Sequence, residues 1–463
     1  AVASALVTGI GAAPAPAAPA PVDWGACEHG APTGFTCGTL DVPMDRDDPS
    51  AGTVTLALTR LPATSDDRLG AIIYNPGGPA QAGRPALWGI GPLVAEDVRA
   101  HWDLVAWDPR GTGGTTPALR GCRAVGLSGL DLPATGAVDW DAALARARAL
   151  VGARNAACLH ANPLLGRHAG SVDAADDVDA IRAALHDDQA GYWGLSYGTT
   201  IGYTLALRHP EQLSRLYLDS TVNPSAGLGA VLDSFSWAIG PSLTFLSQAS
   251  PRAFATWQSD VTTLSSGAIA LPGGRRMTRW DAYLLLKLDP TVAGAALIHA
   301  AVSGDAKAGA VVAQSLEAVD AIGLWGGLRS LIICTDHPER PAAPAGRALL
   351  ARSGRMAGDM GKMLAVGTAA MCAGLPRELG EPVPLLGFRE SAVPALIAAS
   401  MADQAVLFSG AVNMANGFSD GRLVSVVGNT HGLWNMGRSA CLDRYVNRYF
   451  VSGTLPRTAA ACP

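Results

Sequence analysis

The clearest candidate for chemistry in this sequence is a serine within the pentapeptide Gly194-Leu195-Ser196-Tyr197-Gly198. The apolar run AGYWGL before the serine predicts a strand, and TTIGYTLALRHP after it predicts a helix. A Gly-x-Ser-x-Gly sequence at a strand-to-helix turn is typical of a nucleophile elbow, where glycines relieve crowding around a strained, exposed serine. A tight Gly/Ser turn without chemistry is the alternative. The flanking elements favour the elbow, so we predict that Ser196 is a nucleophile.

A serine hydroxyl needs a general base, and four of the nine histidines follow Ser196. In this architecture an acid and then a histidine follow the nucleophile along the chain. His431 lies in the loop GNTHG directly after the predicted strand RLVSVV, and we predict that it is the base. His337, in CTDHPE, is the reserve candidate.

The acid is expected at the end of the strand before that histidine. The run PALIAASMAD ends at Asp403, whose carboxylate would orient the imidazole and stabilise its protonated form. Asp420 and Glu390 fit less well because neither ends a predicted strand. A turn or helix-capping role is the alternative for Asp403.

Two backbone amides are candidates for stabilising a developing oxyanion. The N–H of Tyr197 begins the predicted helix, where the helix dipole favours negative charge. The loop NPGGPA, residues 75–80, follows another apolar run, and its glycines allow the backbone to approach a substrate. We predict the Gly78 amide as the second donor, with a simple Pro/Gly turn as the alternative. In the loop DPRGTGG we expect Asp108 and Arg110 to form an internal ion pair.

The elements that must position these residues alternate between strand and helix. Apolar runs predict strands in the first half of the chain, and residues 171–186 predict an amphipathic helix that Ser171 can cap. From about 225 to 390, helical periodicity dominates. The pattern predicts an α/β fold with a mostly parallel sheet and a large helical insertion. The expected division is 1–23 leader and linker, 24–224 first part of the core, 225–390 helical cap, and 391–463 C-terminal part of the core.

Composition limits the function classes. The chain has 463 residues, 49% of them apolar and 16% charged, with a net charge of −5 and no basic cluster, which argues against a nucleic-acid partner. The first 22 residues are uncharged but turn Pro-rich early, too short a run to span a bilayer. We interpret this segment as the remnant of a signal peptide followed by an Ala/Pro linker. A disordered tail on a cytosolic enzyme is the alternative.

The number and spacing of the cysteines also favour an exported protein. Their number is even and no Cys-x-x-Cys occurs, so four disulfides in an oxidising compartment are favoured over a zinc or redox site. Spacing alone does not fix their connectivity. The eight residues are Cys27, Cys37, Cys122, Cys158, Cys334, Cys372, Cys441 and Cys462.

Taken together, the motifs NPGGP, WDPRGTG, GLSYGT, LYLDSTVNPS, ICTD and GNTHG resemble those of the secreted tripeptidyl and prolyl aminopeptidase-like (TAP-like) α/β-hydrolases of actinobacteria. The resemblance covers residues 24–463. It implies an α/β-hydrolase fold with a helical cap, the triad Ser196, Asp403 and His431, and acyl transfer to water. It also implies the disulfides 27–37, 122–158, 334–372 and 441–462.

The sequence departs from the family pattern at two places. The glycine loop reads GGPAQAG, with Ala80 and Ala82 in place of Gly and Ser, and the segment SMADQAVL around Asp403 lacks the usual Gly and Thr-Pro. Because the predicted triad residues are all present, these changes affect the expectation of peptidase activity more than the expectation of hydrolase chemistry. Peptidases of this kind also need an anion for the substrate's ammonium group, and the candidates are Asp336, Glu339 and Glu317. Asp336 fits the motif best, and a structural role is its alternative.

The predicted function is that of a secreted serine hydrolase, an aminopeptidase that releases di- or tripeptides from N-termini. The alternatives are an esterase or amidase acting on a small hydrophobic substrate or a specialised metabolite, and a catalytically silent binding protein. We predict a monomer acting on a peptide or a small ester or amide, with no metal or organic cofactor, no nucleic-acid partner and no stable membrane insertion.

Overall fold

A ten-stranded sheet forms the centre of the computed structural model, which describes residues 20–28, 30–225, 227–340 and 343–463. Residues 1–19 of the predicted leader and linker lie outside the described residues. The strand order is β1-β2-β3-β5-β4-β6-β7-β10-β11-β12, and β8 and β9 form a separate hairpin. The strands are β1 Gly25–Ala26, β2 Thr36–Pro43, β3 Thr53–Leu61, β4 Gly70–Asn75, β5 Trp102–Asp108, β6 Ala190–Leu195, β7 Leu213–Asp219, β8 Ile269–Ala270, β9 Arg276–Met277, β10 Ala395–Ser400, β11 Gly421–Val426 and β12 Ala460–Cys462.

The sheet is mostly parallel. The pairs from β5 across to β12 run parallel, whereas β1, β2 and β3 form an antiparallel edge that joins β5. The chain passes from β4 to β5 on one side and then to β6 on the other side of β4. Ligand sites in open α/β sheets lie at such a switch point, outside the carboxyl ends of the strands. The loops after β4 and β6 meet there, and they carry Gly78 and Ser196.

Helices cover both faces of the sheet, and a third group lies above its carboxyl edge. Helices α1, α2 and α15 pack on one face, and α4, α5 and α14 on the other, because each turns an apolar stripe toward the strands. The helices are α1 Gly83–Ile90, α2 Glu96–His101, α3 Trp140–Ala161, α4 Ser171–Ala184, α5 Gly198–Arg208, α6 Leu228–Trp237, α7 Ile239–Ala249, α8 Pro251–Ser266, α9 Arg279–Leu288, α10 Val292–Val302, α11 Ala306–Ile322, α12 Gly327–Asp336, α13 Ala343–Ala369, α14 Phe408–Gly417 and α15 Ala440–Ser452.

The third group has a hydrophobic core of its own. Helices α6 to α13 follow one another between β7 and β10, as the helical periodicity predicts, and share one apolar cluster. Helix α3 belongs to the same cluster through Leu144 and Val151, although it precedes the insertion in sequence. The helical layer therefore draws on a segment that the sequence division assigned to the core. No helix in the described part of the chain is long and apolar enough to cross a bilayer.

The eight cysteines form the four disulfides that the resemblance implied, 27–37, 122–158, 334–372 and 441–462. The pair Cys122–Cys158 fixes α3 to the loop after β5, and Cys334–Cys372 joins α12 to the end of α13. Two of the four bridges therefore hold the helical layer.

Two local predictions were wrong. Gly170, and not Ser171, is the N-cap of α4, and the Ser171 hydroxyl donates to Asp336 instead of accepting an amide of its own helix. Arg110 does not pair with Asp108. Its guanidinium reaches the buried Asp177 of α4 at 2.8 and 2.9 Å, while the Asp108 carboxylate accepts the Arg84 and Gly114 amides.

Candidate active site

Ser196 occupies the sharp turn between β6 and α5 in a left-handed conformation, with φ of +56°. This region is unfavourable for a residue with a side chain, so the surrounding structure must hold the serine there. A Cβ on Gly194 would lie 2.5 Å from the Gly198 carbonyl oxygen, and one on Gly198 would lie 2.6 Å from the Asn75 carbonyl oxygen. Both glycines of the pentapeptide are therefore required by close backbone contacts around the serine.

The loop after β4 lies directly against this turn. Gly77 has a φ of +82°, and a Cβ there would lie against the Leu195 carbonyl and 2.7 Å from the Tyr197 nitrogen. The adjacent Gly78 lines the same cavity as Ser196. Ala80, which stands in this loop where the family pattern has a glycine, has a φ of +71°. This left-handed conformation favours glycine, so the alanine is strained here. The backbone amides of Gly78 and Tyr197 remain the predicted oxyanion donors.

The structure brings the predicted acid and base together. The His431 Nδ1 lies 2.8 and 3.0 Å from the two carboxylate oxygens of Asp403. Asp403 also accepts the backbone amides of Ala405 and Val406, at 2.7 and 3.1 Å. Because this support comes from the backbone, the unusual side chains of the SMADQAVL segment do not remove it. Asp403 lies three residues beyond the end of β10 rather than at its last position.

A second buried carboxylate, Asp219 at the end of β7, connects the serine to the histidine loop. Its backbone carbonyl accepts the Ser196 amide at 2.9 Å. One of its carboxylate oxygens accepts the amides of Leu433 and Trp434, at 3.0 and 3.1 Å. The neighbouring Ser220 hydroxyl accepts the Gly432 amide at 3.0 Å. Burial raises the pKa of Asp219, and these donors counter it.

Sequence reasoning did not single out Asp219 as a site residue, although it ends a predicted strand in LYLDS. The rule that selected Asp403, an acidic residue at a strand's carboxyl end, also applies here. The two carboxylates differ in what they bond. Asp403 bonds the imidazole, and Asp219 bonds the backbone that carries it.

Ser196 and His431 line one cavity of about 450 Å³ between the sheet edge and the helical layer. Apolar side chains form most of the wall on the helical side, and they come from α6, α9 and α13, from the loop before α12 and from the segment just after α13. Two cationic residues, Lys287 of α9 and Arg329 of α12, also line it. The apolar residues of that wall are Phe235, Leu284, Leu288, Leu324, Trp325, Leu364 and Met371.

The predicted ammonium-binding residues lie elsewhere. Asp336 is 1% exposed, and its carboxylate accepts the Ser171 amide at 2.7 Å, the Ser171 hydroxyl at 2.5 Å and the Tyr197 hydroxyl at 2.6 Å. Burial raises its pKa to about 6. Glu339 lines a different cavity beside Leu228 and Arg352, and Glu317 is exposed on α11. None of the three is among the described residues that line the cavity at Ser196.

The reserve histidine is also outside the cavity. His337 is buried, and burial lowers its pKa to about 4. His209 and His299 are paired with Asp176 and Asp260. Of the four histidines that follow the serine, His431 is the one that lines the cavity within the described residues.

Two family models match the chain, and both extend into the helical layer. Residues 70–243 match the alpha/beta hydrolase fold, and residues 358–462 match the TAP-like protein family. The chain is an α/β-hydrolase in fold, and its C-terminal part matches the TAP-like family. The two matches together cover more than half of the chain, and the second includes Asp403 and His431.

Several characterised proteins are similar to this TAP-like hydrolase. It is 35% identical to the serine protease Hip1 of Mycobacterium tuberculosis over 226 residues, which cover 44% of this chain and 40% of Hip1. It is 33% identical to the tripeptidyl aminopeptidase of Streptomyces lividans over 230 residues, 47% of this chain and 41% of that protein. Carboxylesterase B of M. tuberculosis is 46% identical over 88 residues, 19% of this chain and 16% of that protein. Each match thus spans less than half of the relative's length.

Proposed function

We propose that this TAP-like protein is a serine hydrolase that transfers an acyl group from an amide or ester to Ser196 and then to water. One observation carries the proposal. Ser196, held in a strained turn, lines the same cavity as His431, and the Nδ1 atom of His431 is hydrogen-bonded to the buried Asp403 carboxylate.

The geometry supports a role for each group. The Asp403 carboxylate accepts a hydrogen bond from Nδ1–H of His431, so Nε2 carries the lone pair and acts as the base. Nε2 takes the Ser196 proton as Oγ attacks the substrate carbonyl carbon, and returns it to the leaving amine or alcohol. In the second step Nε2 takes a proton from water as the water oxygen attacks the acyl carbon, and it returns that proton to Ser196 Oγ as the acid product leaves. The amides of Gly78 and Tyr197 stabilise the oxyanion in both steps.

Peptide and ester substrates are both supported by relatives, since two are named as peptidases and one as a carboxylesterase. Recognition of a free N-terminus has weaker support. An aminopeptidase needs an anion for the substrate's ammonium group, and the described residues that line the cavity include no Asp or Glu. We therefore propose a hydrolase of short acyl or peptidyl substrates in which the helical layer, residues 225–390, forms the cap.

We also propose that the protein works in an oxidising compartment outside the cytoplasm. Its eight cysteines form four disulfides, and such bridges persist in exported proteins.

A fluorophosphonate probe tests the proposed chemistry. Wild-type protein should be labelled and should turn over p-nitrophenyl esters, and Ser196→Ala or His431→Ala should lower turnover by about 10⁴-fold or more. Ser225→Ala, an exposed serine outside the cavity, serves as the matched control and should keep both labelling and turnover. Absence of labelling in the wild type would instead favour a binding protein.

A further inference from the structure

The cavity at Ser196 carries fixed positive charge and no fixed negative charge among its described lining residues. Lys287 and Arg329 enter from two different helices, α9 and α12, and line the cavity together with Ser196 and His431. The remaining lining side chains are apolar or uncharged. The charge of this cavity is thus opposite to what an ammonium group requires.

The ammonium group of Lys287 is unpartnered within the part of the chain that the structure describes. Its Nζ is shielded from solvent and has no hydrogen-bond partner among the described residues. A cation buried without a partner is unfavourable, so such a group points to a ligand that completes it. Burial lowers the pKa of Lys287 to about 8, and the charge of Asp403 counters part of this effect. The amine is therefore still cationic at pH 7.

Arg329 supplies the second charge. One N–H of its guanidinium donates to the Gly78 carbonyl at 2.8 Å, which anchors the group beside the predicted oxyanion loop. A guanidinium has five N–H donors, and within the described residues this is the one side-chain bond that Arg329 makes. Donors therefore remain for an anionic ligand.

We propose that the substrate carries a carboxylate, which Lys287 and Arg329 bind inside the cavity while Ser196 attacks the ester or amide carbonyl. The apolar wall receives the carbon part of the same molecule. A substrate with a free ammonium group is disfavoured in this cavity by like-charge repulsion. This inference rests on the proposed hydrolase function and names its substrate class.

Matched substrates test the inference at pH 7. One set places the charge on the acyl side and comprises succinyl-Ala-, acetyl-Ala- and unblocked Ala-p-nitroanilide. A second set places it on the leaving side and compares acetyl-Ala-Ala with its C-terminal amide. In at least one set, wild-type kcat/KM for the carboxylate-bearing substrate should exceed that of the neutral one by about tenfold or more, since hydrogen bonds to charged groups are strong. The unblocked Ala-p-nitroanilide should be the poorest of its set.

The variant Lys287→Met keeps the apolar stem and removes the charge. It should reduce the ratio of kcat/KM for the carboxylate-bearing substrate to that for the neutral one to less than about half of its wild-type value. Its melting temperature should not fall, because the substitution removes a buried cation that has no partner. Lys307→Met, on the exposed surface of α11, is the control and should change neither.

The outcomes separate this inference from the proposed function. Equal rates for charged and neutral substrates, or a Lys287→Met variant that loses both equally, would overturn the carboxylate inference while labelling of Ser196 still supports the hydrolase. A preference for the unblocked amine would overturn it as well. If the wild type is neither labelled nor active on any of these substrates, the proposed function itself fails.

Discussion

Asp219 lies outside the proposed triad but bonds the backbone at Ser196 and in the His431 loop. Its main chain holds the Ser196 amide, and its side chain holds the two amides that follow the histidine loop. The position of His431 relative to the serine therefore depends on a carboxylate that does not contact the imidazole through a hydrogen bond.

Asp219→Ala should leave the Leu433 and Trp434 amides without acceptors and let the His431 loop shift. We expect kcat to fall by roughly 10–100-fold, as when partners that orient a functional histidine are removed, with a loss of about 1–3 kcal/mol in the free energy of unfolding. Ser220→Ala leaves one amide without an acceptor instead of two, and should have a smaller effect on kcat and on the free energy of unfolding. Steady-state kinetics and thermal unfolding measure this, and unchanged kcat in a folded Asp219→Ala variant would contradict the role.

The residues of the proposed triad could be singled out from the sequence because each follows a recognisable strand end. Ser196, Asp403 and His431 come after apolar runs, and the carboxyl ends of parallel strands meet at one edge. Lys287 and Arg329 could not be found this way. They lie on helices of the insertion, and whether a helical side chain faces a cavity depends on packing between helices that the sequence pattern does not specify.

At the scale of elements, one buried ion pair fixes α4 to the strands. Arg110, just after β5, reaches Asp177 with two hydrogen bonds and also donates to the carbonyls of Pro43 and Met44 on β2 and its turn. Burial by itself would raise the pKa of Asp177, but the charges of Arg110 and Arg46 outweigh it and lower that pKa. The sequence predicted an internal ion pair for Arg110 but named Asp108 as its partner, because the actual partner Asp177 lies 67 residues away.

Arg110→Met should lower the free energy of unfolding by about 3 kcal/mol, because the buried Asp177 loses its main partner and keeps Arg46 alone. Asp359→Asn, which breaks the half-exposed pair with Lys362, is the control and should change stability by less than about 1 kcal/mol. Since the folded pKa of Asp177 is depressed, its contribution is present above the ordinary value of 3.8 and is lost as the pH falls through the folded pKa. Denaturant unfolding at pH 7 and near pH 3 measures this contribution. An equal loss of unfolding free energy in Arg110→Met and Asp359→Asn would contradict the role of the Arg110–Asp177 pair.

At the scale of the whole molecule, the loops at the sheet edge carry the residues of the proposed triad, and the helical layer supplies the wall that faces them. The mostly parallel sheet was predictable from the alternation of strands and helices, and the existence of the helical layer from the change in periodicity. Its inclusion of α3 was not, because an Ala-rich helix has no strong preference for one packing partner. The Cys334–Cys372 bridge is placed to stabilise this wall, since α12 carries Arg329 and α13 carries Leu364, and both residues line the cavity.

Replacing Cys334 and Cys372 together by alanine should therefore affect both stability and substrate binding. We expect a loss of about 2–5 kcal/mol in the free energy of unfolding, because the bridge closes a loop of 38 residues. KM should rise more than kcat falls, because the cavity wall loosens while the triad stays on the sheet. The matched control replaces Cys27 and Cys37, a bridge at the antiparallel edge that closes 10 residues, and should lower stability without changing KM. Thermal unfolding and steady-state kinetics on one ester separate the two, and an equal rise of KM in both double variants would show that the effect is global destabilisation rather than a change in the wall.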